Sequence, residues 1–163
     1  MESDVFEWLT PGLEIGCCDS VRLPVDTLSS YKTLNAARYV AAALEARARG
    51  WDDGILLNAY ERVCEATASN IFWFEGDVLC TPPLTDGCVT GTMRKILLRL
   101  RASSSLPVQE KQATFATLLA ADEVFLSNAV RGIRGVRKFE GRVFDSNKTK
   151  TLHEQVVEAI CRI

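Results

Sequence analysis

The sequence has little of what marks several common protein classes. There is a single histidine, His153, and no Cys-x-x-Cys pair among Cys17, Cys18, Cys64, Cys80, Cys88 and Cys161. That spacing argues against a zinc site or a disulfide framework and for buried, reduced thiols, with the adjacent Cys17 and Cys18 on opposite faces of one strand. Charge of neither sign accumulates, since 19 Lys and Arg stand against 21 Asp and Glu for a formal net charge of -2. Without a basic stripe there is no nucleic-acid groove, and an anionic small ligand must be held by local donors. No apolar run approaches the roughly 18 residues of a membrane span, and the acidic Met1–Trp8 stretch lacks the pattern of a signal peptide. The reading is a cytoplasmic protein without membrane or nucleic-acid partners. Repeats and low-complexity segments are also missing.

What is there suits one globular domain, residues 1–163, with 47% hydrophobic residues to build a core. Residues 1–11 read as irregular, and Thr10-Pro11-Gly12 as a turn. Leu13–Cys17 reads as a strand. Strong helix formers fill Thr33–Arg49, with Leu34, Ala37, Ala41, Leu44 and Ala48 at three- and four-residue spacing and Gly50 as the stop. Two hairpins follow: Gly54–Asn58 with Arg62–Glu65, then Ile71–Phe74 with Val78–Cys80 across Glu75-Gly76-Asp77. Met93–Arg101 reads as a helix leaving through Ser103-Ser104-Ser105. Ala116–Asp122 is expected to be helical, Glu123–Ser127 a strand, and Arg131–Phe144 paired strands around Glu140-Gly141. A last helix over Lys148–Cys161 turns Leu152, Val156, Val157 and Ile160 inward. Strands interspersed with helices define an α/β or α+β domain with a mixed sheet.

Three short segments combine residues able to do chemistry. Lys32, in Tyr31-Lys32-Thr33-Leu34-Asn35, is either a solvated charge before a helix or an amine made nucleophilic by its surroundings. Glu65 is either a charged strand end or a carboxylate kept for a cationic partner. Gly91-Thr92-Met93 opens a helix, where free backbone N–H groups and the helix dipole suit a phosphate, although Thr is also an ordinary N-cap. His153 reads as a surface residue. Arg131, Arg134 and Arg137 either face a carboxylate-bearing substrate or alternate on an exposed strand.

Taken together and in this order, the segments resemble the large C-terminal domain of the fold-type IV pyridoxal-phosphate enzymes, which have the D-amino-acid aminotransferase-like fold. That family includes branched-chain aminotransferases, D-amino-acid aminotransferases and aminodeoxychorismate lyases. Lys32-Thr33-Leu34-Asn35 is similar to the segment whose Lys forms the Schiff base with pyridoxal 5'-phosphate. Glu65 precedes Asn70-Ile71-Phe72 at the family spacing for the carboxylate beside the pyridine nitrogen. Gly91-Thr92-Met93-Arg94 resembles the phosphate cup, with Thr92 in place of the usual Ile and Arg94 in a structural role. The resemblance implies Lys32 as catalytic residue and cofactor contacts from Lys32, Glu65, Ser69, Asn70, Gly91, Thr92, Met93 and Asn128, with no metal. Asn128-Ala129 and Asn70-Ile71-Phe72-Trp73 resemble the lyase branch more than the aminotransferase branches. The implied reaction turns 4-amino-4-deoxychorismate into 4-aminobenzoate and pyruvate, with transamination of branched-chain or D-amino acids and a noncatalytic remnant of the family as alternatives.

The resemblance further implies a homodimer and a smaller N-terminal domain before the Gly12 region, which this sequence does not include. A phosphate-binding Arg and a proton-transferring Thr belong to that domain in the family. The expectations are therefore weak cofactor binding, little turnover, and apolar surface exposed around Trp8, Leu9 and Leu13.

Overall fold

The structure, a computed structural model, describes residues 6–103 and 106–161. The first five residues of the expected irregular stretch, and Ser104-Ser105 of the expected exit loop, lie outside the described residues. Strand β1 (Leu13–Cys17) is followed by helix α1 (Ala37–Ala48), then β2 (Asp53–Leu57) and β3 (Val63–Ala66). The second hairpin is β4 (Asn70–Glu75) and β5 (Val78–Thr81), after which come α2 (Thr92–Ser103) and β6 (Val108–Glu110). Helix α3 (Phe115–Ala120), β7 (Glu123–Asn128), β8 (Gly132–Phe139), β9 (Arg142–Val143) and α4 (Asn147–Cys161) complete the chain.

The sheet order is β3-β2-β1-β8-β7-β4-β5-β6, with β9 paired to β8. It is mixed: β1 runs parallel to both β2 and β8, while β4, β7 and β8 are antiparallel neighbours. Past β6 the chain returns to the opposite edge, where Val63 N–H donates to Ala113 O at 2.8 Å, so the sheet curls round on itself. Its concave side is filled by alternate residues of nearly every strand, among them Ile15, Ile55, Trp73, Leu126 and Phe139, closed by Leu118 of α3. On the convex side α2 and α4 cover β4, β7 and β8 through Phe72, Phe125, Leu97 and Leu152. Helix α1 covers β1–β3 separately, through Ala42, Ala46 and Leu56. Each fully buried large apolar side chain contributes on the order of 1.5–3 kcal/mol. The convex layers therefore sit firmly on the sheet as two separate clusters, one under α2 and α4 and one under α1.

Several sequence expectations need correction. Helix α1 begins at Ala37, and its buried residues are Ala42 and Ala46, whereas Leu34, Ala37, Leu44 and Ala48 are exposed. The reason is close packing: a Cβ on Gly54 of β2 would stand 3.3 Å from Ala46 Cβ, so only small side chains fit beneath the helix. Strand β6, with one buried residue, was not expected. His153 is buried and packs on Trp8 with ring centroids 5.4 Å apart. Leu13 is buried and Trp8 half-buried, so of the three residues expected at an apolar edge only Leu9 is exposed. Five of the six thiols are buried and Cys161 is exposed. Cys17 faces the concave core and Cys18 the α1 layer, as expected for opposite faces.

Candidate functional site

The three segments meet between α1 and α2. Glu65, near the end of β3, is only 3% exposed, and its carboxyl is gripped from three elements. Tyr39 of α1 donates its hydroxyl to Oε1 at 2.6 Å. Asn70 Nδ2 at the start of β4, and the Val89 N–H on the approach to α2, both donate to Oε2 at 3.1 Å. Burial opposes the charged form and raises the Glu65 pKa to about 7, against the Tyr39 and Val89 hydrogen bonds and the positive charges of Lys32 and Arg94, which favour ionisation. Tyr39 stays a neutral donor, because burial and the neighbouring Glu65 charge both push its pKa up.

Lys32 lies on an exposed stretch ahead of α1. Here Asp26 Oδ1 accepts from Leu28 N and Ser29 N, and Thr90 N–H donates to Ser30 O at 2.9 Å, tying this stretch to the approach to α2. Residues 31–35 lie ahead of the helix, and the charge of Lys32 is within electrostatic reach of Glu65.

Gly91 is required by packing. A Cβ there would meet Asn70 Oδ1 at 2.1 Å, so the turn into α2 nests directly on the carboxamide that holds Glu65. Asn70 Nδ2 also donates to Val89 O at 2.8 Å, locking the two segments together. The N–H groups of Thr92 and Met93, in the first turn of α2, have no acceptor among the described residues. Thr92 is exposed, whereas the Met93 side chain is buried against Leu97, leaving only its N–H to offer. Arg94 is buried and donates to Pro82 O and Glu110, bracing α2 against β6 in the structural role expected of it.

Ser69 and Asn128 meet beside this cluster. Asn128 Nδ2 donates to Ser69 Oγ at 3.0 Å and to Ala68 O at 3.2 Å, while its Oδ1 accepts from Val130 N and Arg131 N. The carboxamide is thus fully engaged in its own turn and in placing Ser69. Of the three arginines, Arg137 pairs with Glu14 at 3.0 Å, while the exposed Arg131 lies near enough to the half-buried Arg134 that its charge, after burial, helps to lower the Arg134 pKa. Sequence reasoning missed Tyr39 and Val89. Tyr39 shares the three- and four-residue spacing of the buried Ala42 and Ala46, which was the legible signal for it; a backbone N–H such as that of Val89 leaves none.

Comparison with known proteins gives this curled mixed sheet and its cluster a family. The chain matches the amino-transferase class IV family over residues 7–139 and belongs to it. It is 32% identical over 130 residues to the aminodeoxychorismate lyase of Vibrio harveyi, covering 79% of this chain and 48% of that protein. To the branched-chain-amino-acid aminotransferase of Escherichia coli it is 33% identical over 97 residues, 60% of this chain and 31% of that protein. The crystal structure of a branched-chain aminotransferase from Thermoproteus uzoniensis with norvaline superposes with a TM-score of 0.83 at 31% identity, covering 93% of this chain and 50% of that one. The chain spans about half the length of the lyase and of the solved aminotransferase. Among the described residues no helix is long and apolar enough to cross a membrane, and no group of side chains is arranged to hold a metal.

Proposed function

We propose that this chain holds pyridoxal phosphate between α1 and α2 and serves a reaction at an amino-bearing carbon of a small substrate, specifically the conversion of 4-amino-4-deoxychorismate to 4-aminobenzoate and pyruvate. The observation that carries the reading is the Glu65 carboxyl. A buried acid whose proton affinity is raised, with three neutral donors around it, is suited to one further cationic N–H partner. The cofactor, when bound, supplies an aldehyde carbon that takes an amine and a protonated pyridine ring that accepts the electron pair released at the adjacent carbon.

Each of the chain's own groups has a task in this scheme. The Lys32 amine would hold the cofactor at its aldehyde carbon, and would serve as the base toward the carbon that bears the substrate's amine. Glu65 would partner the ring nitrogen and favour its protonated form. The Thr92 and Met93 N–H groups, the Thr92 hydroxyl and the Ser69 hydroxyl would hold the phosphate, assisted by the positive end of the α2 dipole. Gly91 and Asn70 fix the distance between the carboxylate and the phosphate donors, and Asn128 acts through Ser69. A homodimer is part of the proposal.

The lyase reading is supported by Asn128-Ala129, by Asn70-Ile71-Phe72-Trp73 and by the similarity to the Vibrio lyase. Branched-chain transamination is the second reading, favoured by the Escherichia coli relative and the Thermoproteus structure. The test has two arms. Borohydride reduction of the protein mixed with pyridoxal phosphate is expected to leave the pyridoxyl label on Lys32, and a label elsewhere that survives Lys32→Ala would remove Lys32 from its role. Turnover is then followed as 4-aminobenzoate fluorescence, beside glutamate formation from a branched-chain amino acid and 2-oxoglutarate. Glutamate without 4-aminobenzoate overturns the lyase reading.

A further inference from the structure

We propose that Tyr39 is the positioning residue for Glu65: its hydroxyl anchors Oε1 and leaves that oxygen as the place where a protonated ring nitrogen is received. The proposal rests on the reading that Glu65 partners the cofactor ring. It starts from an inventory of lone pairs. An ionised carboxylate offers about four acceptor sites, two on each oxygen. Oε2 accepts from both Asn70 Nδ2 and Val89 N, so its sites are filled. Among the described residues Oε1 accepts only from Tyr39, at 2.6 Å, so the remaining site is on the oxygen that Tyr39 holds. The Asn70 and Val89 contacts belong to the β4 start and the α2 approach, which Asn70 already locks together. Tyr39 alone ties the carboxyl to α1.

The helix is built to deliver this contact. Tyr39, Ala42 and Ala46 lie on one face at three- and four-residue spacing. The two alanines let α1 approach β2 closely, and the long phenol then spans the distance to β3. Tyr39 packs on the same apolar layer that contains Ala42, Ala46 and Cys64. The charged or titratable groups near Glu65 are Lys32 ahead of α1, Tyr39 on α1, Cys64 on β3, Cys88 in the loop before α2, and Arg94 on α2. Of these, only Tyr39 makes a direct hydrogen bond to the carboxyl.

The experiment titrates Glu65 in the protein without cofactor, by NMR of carboxyl-labelled glutamate, the signal being assigned by its loss in Glu65→Gln. Tyr39→Phe is expected to raise the Glu65 midpoint by about one pH unit, a tenfold change in proton affinity, because a donor to the charged form is lost. A ring-fluorinated tyrosine at position 39, a stronger donor in an unchanged shape, is expected to lower it; this arm remains informative if the Phe variant fails to fold. Midpoints unmoved by both substitutions would overturn the proposal. Pyridoxal phosphate affinity is measured separately. Tyr39→Phe is expected to weaken it severalfold, and to weaken it no further when Glu65 is already Gln, whereas additive losses would mean that Tyr39 does not act through Glu65. Failure of the wild-type chain to bind pyridoxal phosphate would remove the functional reading, while the titration still decides the coupling of Tyr39 to Glu65.

Discussion

Glu65 makes the site a source of instability in the protein that carries it. Its pKa rises from an ordinary 4.5 to about 7 on folding, through burial. Between those values the folded chain keeps a proton that the unfolded chain has released, so stability falls as pH rises through the window and levels off above it. Integrated over the shift, the effect is on the order of 3 kcal/mol. Glu65→Gln keeps the shape and removes the titration, because an amide oxygen accepts from Asn70 and Val89 while the amide nitrogen donates to a turned Tyr39 hydroxyl. Denaturant unfolding at pH 5 and pH 8 is expected to show the wild type losing about 2–3 kcal/mol more than the variant. Equal losses in the two proteins would contradict the assignment. Lys32, Glu65 and the Gly91-Thr92 pair were legible in the sequence because each sits in a short local pattern. Of the donors to Glu65, Asn70 was legible with it, five residues on, whereas Tyr39 and Val89 were not, because they lie 26 and 24 residues away in sequence.

At the scale of single elements, the clearest capping contact is far from the site. Glu123, at the start of β7, is buried and caps α4: Oε1 accepts from Lys148 N at 2.8 Å, and Oε2 from Thr149 N at 2.8 Å and Thr149 Oγ1 at 2.7 Å. A carboxylate at a helix N-terminus satisfies orphan donors and opposes the positive dipole end. Glu123→Ala is expected to destabilise the fold by about 2 kcal/mol and lower the melting temperature; an unchanged melting temperature would show the cap to be dispensable. The hairpins were readable because turn residues and alternating apolar residues coincide, as at Glu75-Gly76-Asp77 between β4 and β5. The inward face of α1 was not. Its alanines lie all round the helix, so periodicity could not choose between the face holding Leu34 and Leu44 and the face holding Ala42 and Ala46, and the choice was made by the tight approach to Gly54. Strand β6 escaped for a similar reason: three residues with one buried carry no period to read.

Across the whole molecule, large apolar residues stand exposed on α1 and on the stretch that precedes it. Leu28, Tyr31, Leu34, Val40 and Leu44 are exposed around the Lys32 stretch and along the helix, Leu34 completely. Exposed apolar residues in such number suit an interaction surface, and the proposed homodimer would provide a second copy to cover them. Sedimentation is expected to show self-association that is lost in Leu34→Lys/Leu44→Glu. A monomer at high concentration, or association unaffected by the pair, would place the interface elsewhere. The distribution of thiols supplies an internal clock for such measurements. Burial pushes Cys17 and Cys88 up to about 12 and Cys18 and Cys80 up to about 11, and moves Cys64 in the same direction, whereas Cys161 stands exposed near the end of α4. A thiol reagent that needs the thiolate therefore labels Cys161 at once and the other five only as the chain opens. The order in which Cys18 and Cys64 under α1, and Cys17 and Cys80 inside the curl, then become labelled records which layer parts from the sheet first.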